Sequence, residues 1–323
     1  MAHAEAASPL PVGTRHAVSG EGRRPPYHPP DTACRVPTAL LLAVLVWPAV
    51  AAAAGDAARG RVVFAIAGGC GCHTTSDGPV AAGGRELKTP FGTFYAPNIT
   101  PDPDTGIGRW SDAEIITAIR AGETRSGRVE APVMPYYQYA GMSDGDVQDL
   151  VAYLRTLAPV RRANRPAEVR IPFAHLAYRA WRLLFAARVN PAAAAPTDPL
   201  ARGRYLADHV AICTDCHTPR DRFGAPDTGL YLAGTETGPD GDPVPNITPD
   251  RATGIGKWTE NDIVQLLQTG MKRDMDNVQG LMGEVVDGVG GGPGYAQVPE
   301  SELRSIAKYL RTVPPVRHQV GGD

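Results

Sequence analysis

Aromatic residues are scarce in this chain: Phe, Trp and Tyr make up 7% of its 323 residues. A large aromatic core is therefore excluded, and a small domain of this kind leaves a place at its centre for a bound apolar group. Charge of one sign is missing as well. The 32 Lys and Arg nearly cancel the 34 Asp and Glu, leaving -2, and there is no basic block suited to nucleic acid. Cysteine is limited to five residues. Four fall in two short segments and the fifth, Cys34, precedes an apolar run, so no disulfide framework is available. Past Ala54 no apolar stretch equals that run, which implies a mature body that does not span a membrane. Glycine and proline, by contrast, number 36 and 31, which fits helices joined by long, structured loops. The length suits two modest domains better than one large core.

The N-terminus reads separately from the fold. Residues 1–36 are rich in Arg and Pro. Pro37 to Ala54 then forms an apolar stretch of about 18 residues, with Ala52, Ala53 and Ala54 as a cleavage site. The expectation is an exported protein with a signal peptide inside residues 1–54. An uncleaved anchor is the alternative, because about 18 residues just suffices to span a bilayer.

Cys213-Thr214-Asp215-Cys216-His217 is a complete CxxCH. This is the attachment signature of c-type haem: two thiols add to the vinyl groups and the histidine ligates iron. A Cys-Cys-His zinc site is the alternative and needs one more ligand. A shortened copy, Cys70-Gly71-Cys72-His73, lies in the first half. Removing one residue turns one sulfur by about 100° on a helix of 3.6 residues per turn. Cys72 keeps its place beside His73, whereas Cys70 either reaches the ring through a local distortion or stays free.

The chain repeats around these two points. Asn98 and Asn246 are 148 residues apart, as are Trp110 and Trp258, Ile115 and Ile263, and Met134 and Met282. From histidine to asparagine there are 25 residues in the first half and 29 in the second. Each half has an opening helix (56–67 and 199–211), a middle helix (111–121 and 259–269) and a closing helix (144–157 and 300–312). The middle helices start with capping boxes, Ser111 with Glu114 and Thr259 with Asp262, and end at Gly122 and Gly270. Val147, Leu150, Val151 and Leu154 recur at helical spacing in one closing helix, and Leu303, Ile306 and Leu310 in the other. The fold class expected is mainly α: two tandem cytochrome c-like domains related by duplication. The boundaries are a leader at 1–54, domain 1 at 55–159, a linker at 160–198, domain 2 at 199–316 and a tail at 317–323. The linker holds a short aromatic helix, 173–187, read either as packing between the domains or as a docking surface. Gly288 to Gly294 reads as a flexible surface loop.

Beyond the cysteines, Pro97-Asn98-Ile99-Thr100-Pro101-Asp102 with Thr105 to Trp110 in the first half, and Pro245 to Asp250 with Thr253 to Trp258 in the second, resemble the dihaem cytochrome c family that includes the cytochrome subunits of periplasmic alcohol and gluconate dehydrogenases. Met134-Pro135-Tyr136 and Met282-Gly283-Glu284-Val285-Val286 resemble its two axial-methionine segments. The resemblance implies two covalently attached haem c groups, the first with one or two thioether bonds. The metal ligands are then His73 with Met134 and His217 with Met282, with Met271 and Met275 as alternatives in the second half. Cys70, Cys72, Cys213 and Cys216 form the covalent links, and Asn98, Trp110, Asn246 and Trp258 border the cofactor. Arg109 and Lys257 could offset propionate charge. The alternative for these loops is a structural turn. Tyr136, Tyr137 and Tyr139 are read as packing around the distal loop.

The function expected is a periplasmic carrier of single electrons, between a dehydrogenase and another cytochrome or a terminal oxidase, with no catalysis of its own. A dihaem redox enzyme of the peroxidase or thiosulfate-oxidising type, and a cofactor-poor binding module, are the alternatives.

Overall fold

Helix ends here follow local capping chemistry. The structure, a computed structural model, describes residues 55–186 and 190–321. The expected leader with Cys34, the Ala187 end of the linker helix and the last two residues of the tail lie outside the described residues. Helix α1 (Ala57–Ile66) begins where the Asp56 carboxylate accepts from the N–H groups of Ala58 and Arg59. Then come α2 (Asp112–Ala121), α3 (Tyr136–Tyr139), α4 (Asp144–Thr156), α5 (Ala174–Phe185), α6 (Pro199–Tyr205), α7 (Cys213–His217), α8 (Glu260–Thr269), α9 (Gly280–Asp287) and α10 (Glu300–Leu310). The capping boxes of α2 and α8 are both formed, and Gly122 and Gly270 close these helices in the left-handed conformation. A small antiparallel sheet, β1 (Glu86–Thr89), β2 (Gly92–Tyr95) and β3 (Glu168–Val169), is the only strand structure among the described residues apart from isolated bridges. The result is mainly α, with cytochrome c-like packing of first against last helix.

Two glycines allow those helices to cross. A Cβ on Gly60 of α1 would lie 1.8 Å from the Asp149 carbonyl oxygen of α4, and a Cβ on Gly203 of α6 would lie 1.8 Å from that of Ser305 on α10. Only glycine permits so close an approach. The faces brought together are apolar: Val63, Phe64 and Ile66 meet Val147, Leu150, Val151 and Leu154 in one crossing, and Leu206, Leu303, Ile306 and Leu310 are buried at the other. All belong to one hydrophobic cluster, so the core runs continuously through both halves instead of dividing between them. Polar ties reinforce this. Tyr205 accepts from the Ser143 N–H at 2.9 Å and donates to Asp146 at 2.7 Å.

The second half has one residue more between crossing glycine and histidine, 14 against 13. That residue lies between the cysteines, since Gly60 to Cys70 and Gly203 to Cys213 are the same distance along the chain; α6 runs on into a π turn at Leu206–Val210, with the Ala211 N–H bonded to the Leu206 carbonyl at 2.7 Å.

The linker is tied to the body. β3 extends the sheet of the first half. On α5, Trp181 is buried against Tyr136 and Tyr137, and its indole donates to the Phe223 carbonyl at 2.9 Å. Leu176, Leu183 and Leu184 on the same helix are all strongly exposed. One expectation fails: 288–294 is not a free surface loop. Pro293 and Gly294 are buried. A Cβ on Gly290 would meet the Gly78 carbonyl at 2.4 Å, and one on Gly69 the Pro293 carbonyl at 2.8 Å. Gly290 and Gly292 pack closely against the first half, while Gly288 and Gly294 face their own loop. No helix among the described residues is long and apolar enough to cross a membrane.

Candidate functional site

Each candidate histidine is oriented by a carbonyl from the loop that follows. Nδ1 of His73 donates to Pro97 O at 2.8 Å, and Nδ1 of His217 donates to Pro245 O at 2.8 Å. A carbonyl can only accept, so Nδ1 carries the proton and Nε2 keeps its lone pair. Burial lowers both imidazole pKa values, the bond to the carbonyl acting in the opposite sense. The lowering favours the neutral ring, the form in which an imidazole can ligate a metal. The residue after each histidine works too: Thr74 Oγ1 accepts from Ala81 N–H at 2.9 Å and Thr218 Oγ1 from Leu232 N–H at 3.0 Å. Ala81 and Leu232 both have positive φ, 61° and 59°, and their carbonyls accept from Ile99 and Ile247. The sequence reading missed both pairs, although each histidine is followed by Thr and each asparagine preceded by Pro.

The asparagines hold the carbonyl-bearing loops in place. Asn98 is buried; its Nδ2 donates to Thr105 Oγ1 at 3.0 Å and to Val160 O at 2.7 Å, while Oδ1 accepts from the Thr100 N–H and hydroxyl. Asn246 repeats this with Thr253, Val316 and Thr248. Their amides are engaged within the protein, so their part in the site is to position Pro97 and Pro245. The following glycines are a matter of space: a Cβ on Gly106 would lie 2.1 Å from Thr100 O, and one on Gly254 2.2 Å from Thr248 O. Trp110 and Trp258 are half-buried against the core cluster. Arg109 is exposed and paired with Asp104 at 2.7 Å, which directs its charge to its own loop.

The two cysteine segments differ in backbone. Cys213 to His217 is a regular helix entered through Ile212 at φ 46°. In the first half the run Gly68, Gly69, Cys70 is left-handed, with φ of 65°, 64° and 47°. The shortened motif is thus accommodated by a local distortion that two glycines make feasible and that strains Cys70. Cys72 is open at the surface, and the other three thiols are half-buried. Burial pushes the pKa of the Cys70 and Cys213 thiols up to about 12 and raises that of Cys216 as well.

The methionine candidates separate cleanly in the second half. The hairpins before the candidates match bond for bond: Glu130 N–H to Gly122 O in one, Val278 N–H to Gly270 O in the other. Gly127 at φ 74° corresponds to Met275 at φ 68°. Met275 is a 76% exposed turn residue, and the Met271 sulfur accepts from Gln265. Met282 packs against the core from α9, and Met134 is half-buried just before α3.

Haem fits these residues. Each half offers one neutral imidazole with a free Nε2, thiols beside it, a methionine, and half-buried apolar groups such as Ile99, Trp110, Ile247 and Trp258 backed by core. A cluster of three or more His, Cys, Asp or Glu able to hold a bare metal ion does not occur among the described residues.

Known proteins agree with this chemistry. Residues 57–158 match the cytochrome c family. A dihaem c-type cytochrome of Cereibacter sphaeroides is 37% identical over 271 residues, 81% of this chain and 87% of that one. A nicotinate dehydrogenase subunit of Pseudomonas putida is 40% identical over 79% of this chain but only 21% of its own length. The gluconate 2-dehydrogenase cytochrome c subunit of Pantoea cypripedii is 36% identical over 85% of this chain and 64% of its own. The chain thus spans most of the first and under two thirds of the two dehydrogenase subunits.

Proposed function

We propose, for a chain that belongs to the dihaem c-type cytochromes, that it carries single electrons from a periplasmic dehydrogenase to a further cytochrome or a terminal oxidase. Covalently attached haem c supplies the redox chemistry when bound, its iron taking up and releasing one electron. The residues of this chain hold, orient and tune it. His73 and Met134 serve one iron, His217 and Met282 the other. Cys72, Cys213 and Cys216 make thioether links, with Cys70 as the additional one. Trp110 and Trp258 border the rings. Methionine sulfur together with imidazole would favour ferrous iron relative to two histidines and raise the potential, which would suit an acceptor of electrons.

The observation that carries this reading is the twice-repeated bond from His Nδ1 to a Pro carbonyl, at 2.8 Å in each half. The same repetition supports two cytochrome c domains, 55–159 and 199–316, derived by duplication and joined through 160–198. Export to the periplasm by a signal peptide within 1–54 follows from the sequence of that segment. The dehydrogenase partner is supported by the names of the relatives.

Acid-acetone extraction followed by intact mass tests the cofactor content: two haems remain on the chain. Reduced protein then distinguishes carrier from enzyme, since an iron with both axial positions filled does not bind carbon monoxide. Near-stoichiometric binding would overturn the carrier reading.

A further inference from the structure

A polar cluster links the segments that carry the two candidate sites. Asp215 of α7 immediately precedes Cys216. Its carboxylate is ion-paired with Arg220, accepts from Gln138 Nε2 at 3.1 Å and meets the Tyr137 hydroxyl at 3.4 Å. Tyr137 and Gln138 belong to the other half, on α3, three and four residues after Met134. Gln138 is 7% exposed. Its Oε1 accepts from the Thr214 hydroxyl and its backbone carbonyl from His209 Nδ1 at 2.9 Å. Arg220 Nη1 also donates to the Tyr137 hydroxyl at 2.9 Å and to Gly224 O at 3.0 Å. Gln138 therefore spends its side chain chiefly on the opposite half, and the cluster joins the methionine segment of one site to the attachment helix of the other.

We infer that the Asp215–Arg220 pair, held by Tyr137 and Gln138, is an electrostatic element shared by the two redox centres that sets both of their potentials. The inference rests on the reading of His73, Met134, His217 and Met282 as iron ligands. Its physical basis is simple. Reduction lowers the charge of a centre by one, so a nearby carboxylate favours the oxidised form and a nearby guanidinium the reduced form. Inside protein the interaction is several-fold stronger than in water. While the pair is intact its two charges act on each centre in opposite senses, and their balance is what sets the potentials. Removing one member exposes the other to both centres, because the cluster adjoins Cys216 by one residue and Met134 by three.

The test is potentiometric titration of the holoprotein with both haems attached. Asp215→Asn raises both midpoint potentials and Arg220→Gln lowers both. Gln138→Leu, which removes a donor to the carboxylate, lowers both and serves if either charge variant fails to mature. Loosening of structure alone admits water and moves every variant in one direction. Shifts of the same sign in all three, or shifts confined to the centre on Cys213 and Cys216, would overturn the inference. Failure of the ligand reading is distinguishable: the sulfur-to-iron absorption band would then survive replacement of Met134 and Met282 whatever the potentials do.

Discussion

Nδ1 of His73 lies 2.8 Å from the carbonyl oxygen of Pro97, 24 residues further along the chain. The bond fixes the ring's tautomer and leaves Nε2 with its lone pair free. Pro97 is itself held by Asn98, whose amide reaches Val160 beyond α4. Ring orientation, loop and closing helix are thereby one mechanical unit, repeated at His217, Pro245, Asn246 and Val316.

Replacing Asn98 or Asn246 with Ala strips partners from buried Thr100 or Thr248 and from the carbonyl beyond. Each variant is expected to lose about 1–3 kcal/mol of stability, measured by denaturant unfolding of the holoprotein. Covalent haem is retained, because neither amide makes the covalent link. A variant as stable as wild type would contradict the role given to these side chains.

The methionine assignment makes a spectral prediction. Met134→Ala and Met282→Ala each remove about half of the weak near-infrared sulfur-to-iron band. Met275→Ala leaves it intact, since that residue is a 76% exposed turn position. Loss of the band with Met271 or Met275 instead would show that the second site is built in another register.

Cys72 adjoins His73 in an ordinary geometry, whereas Cys70 carries a φ of 47°. Cys72→Ala is therefore expected to lose covalent haem from the first site and Cys70→Ala to keep it. The pyridine haemochrome spectrum reads the number of unreacted vinyl groups directly. If both wild-type haems give the spectrum of two thioethers, the left-handed Gly69-Cys70 backbone is the device that brings the second sulfur to the ring.

Acid sensitivity follows from the loop carboxylates. The Thr105 hydroxyl and N–H lower the pKa of Asp102, and the Thr253 N–H and hydroxyl lower that of Asp250, both from an ordinary 3.8. A depressed folded-state value means that the stabilisation is present above about pH 3.8 and is lost as pH falls through the lowered value. Asp102→Asn and Asp250→Asn should therefore flatten the acid limb of a plot of Tm against pH. An unchanged acid limb in the double variant would count against these loops as its source.

The helix crossings admit a steric check. Gly60→Ala or Gly203→Ala forces a Cβ to within 1.8 Å of a facing carbonyl, so the helices must separate, at a cost of about 1–3 kcal/mol. Thermal unfolding measures it.

The sequence by itself determined the opening, middle and closing helices of each half, because their signals are local, but gave no sign of α3 or α9. Capping boxes at Ser111 and Thr259, stop glycines at 122 and 270 and the apolar spacing of α4 and α10 each act within one or two turns. It also pointed to His217 as a candidate ligand, since CxxCH is a chemical signature needing no neighbours. Only the tertiary structure decided the rest. The carbonyls of Pro97 and Pro245 carry no side-chain signal, and their role exists only once the chain returns 24 and 28 residues later. Asn98 and Asn246 looked like cofactor contacts, and their bonds to Val160 and Val316 required the closing helix to be in place. Gly290 suggests freedom when read locally, yet packs against Gly78, some 200 residues away, where a side chain would not fit. For the same reason the junction of Gln138 with Asp215 was invisible: a hydrogen bond between halves depends on how two surfaces meet, and no periodicity within either half encodes that.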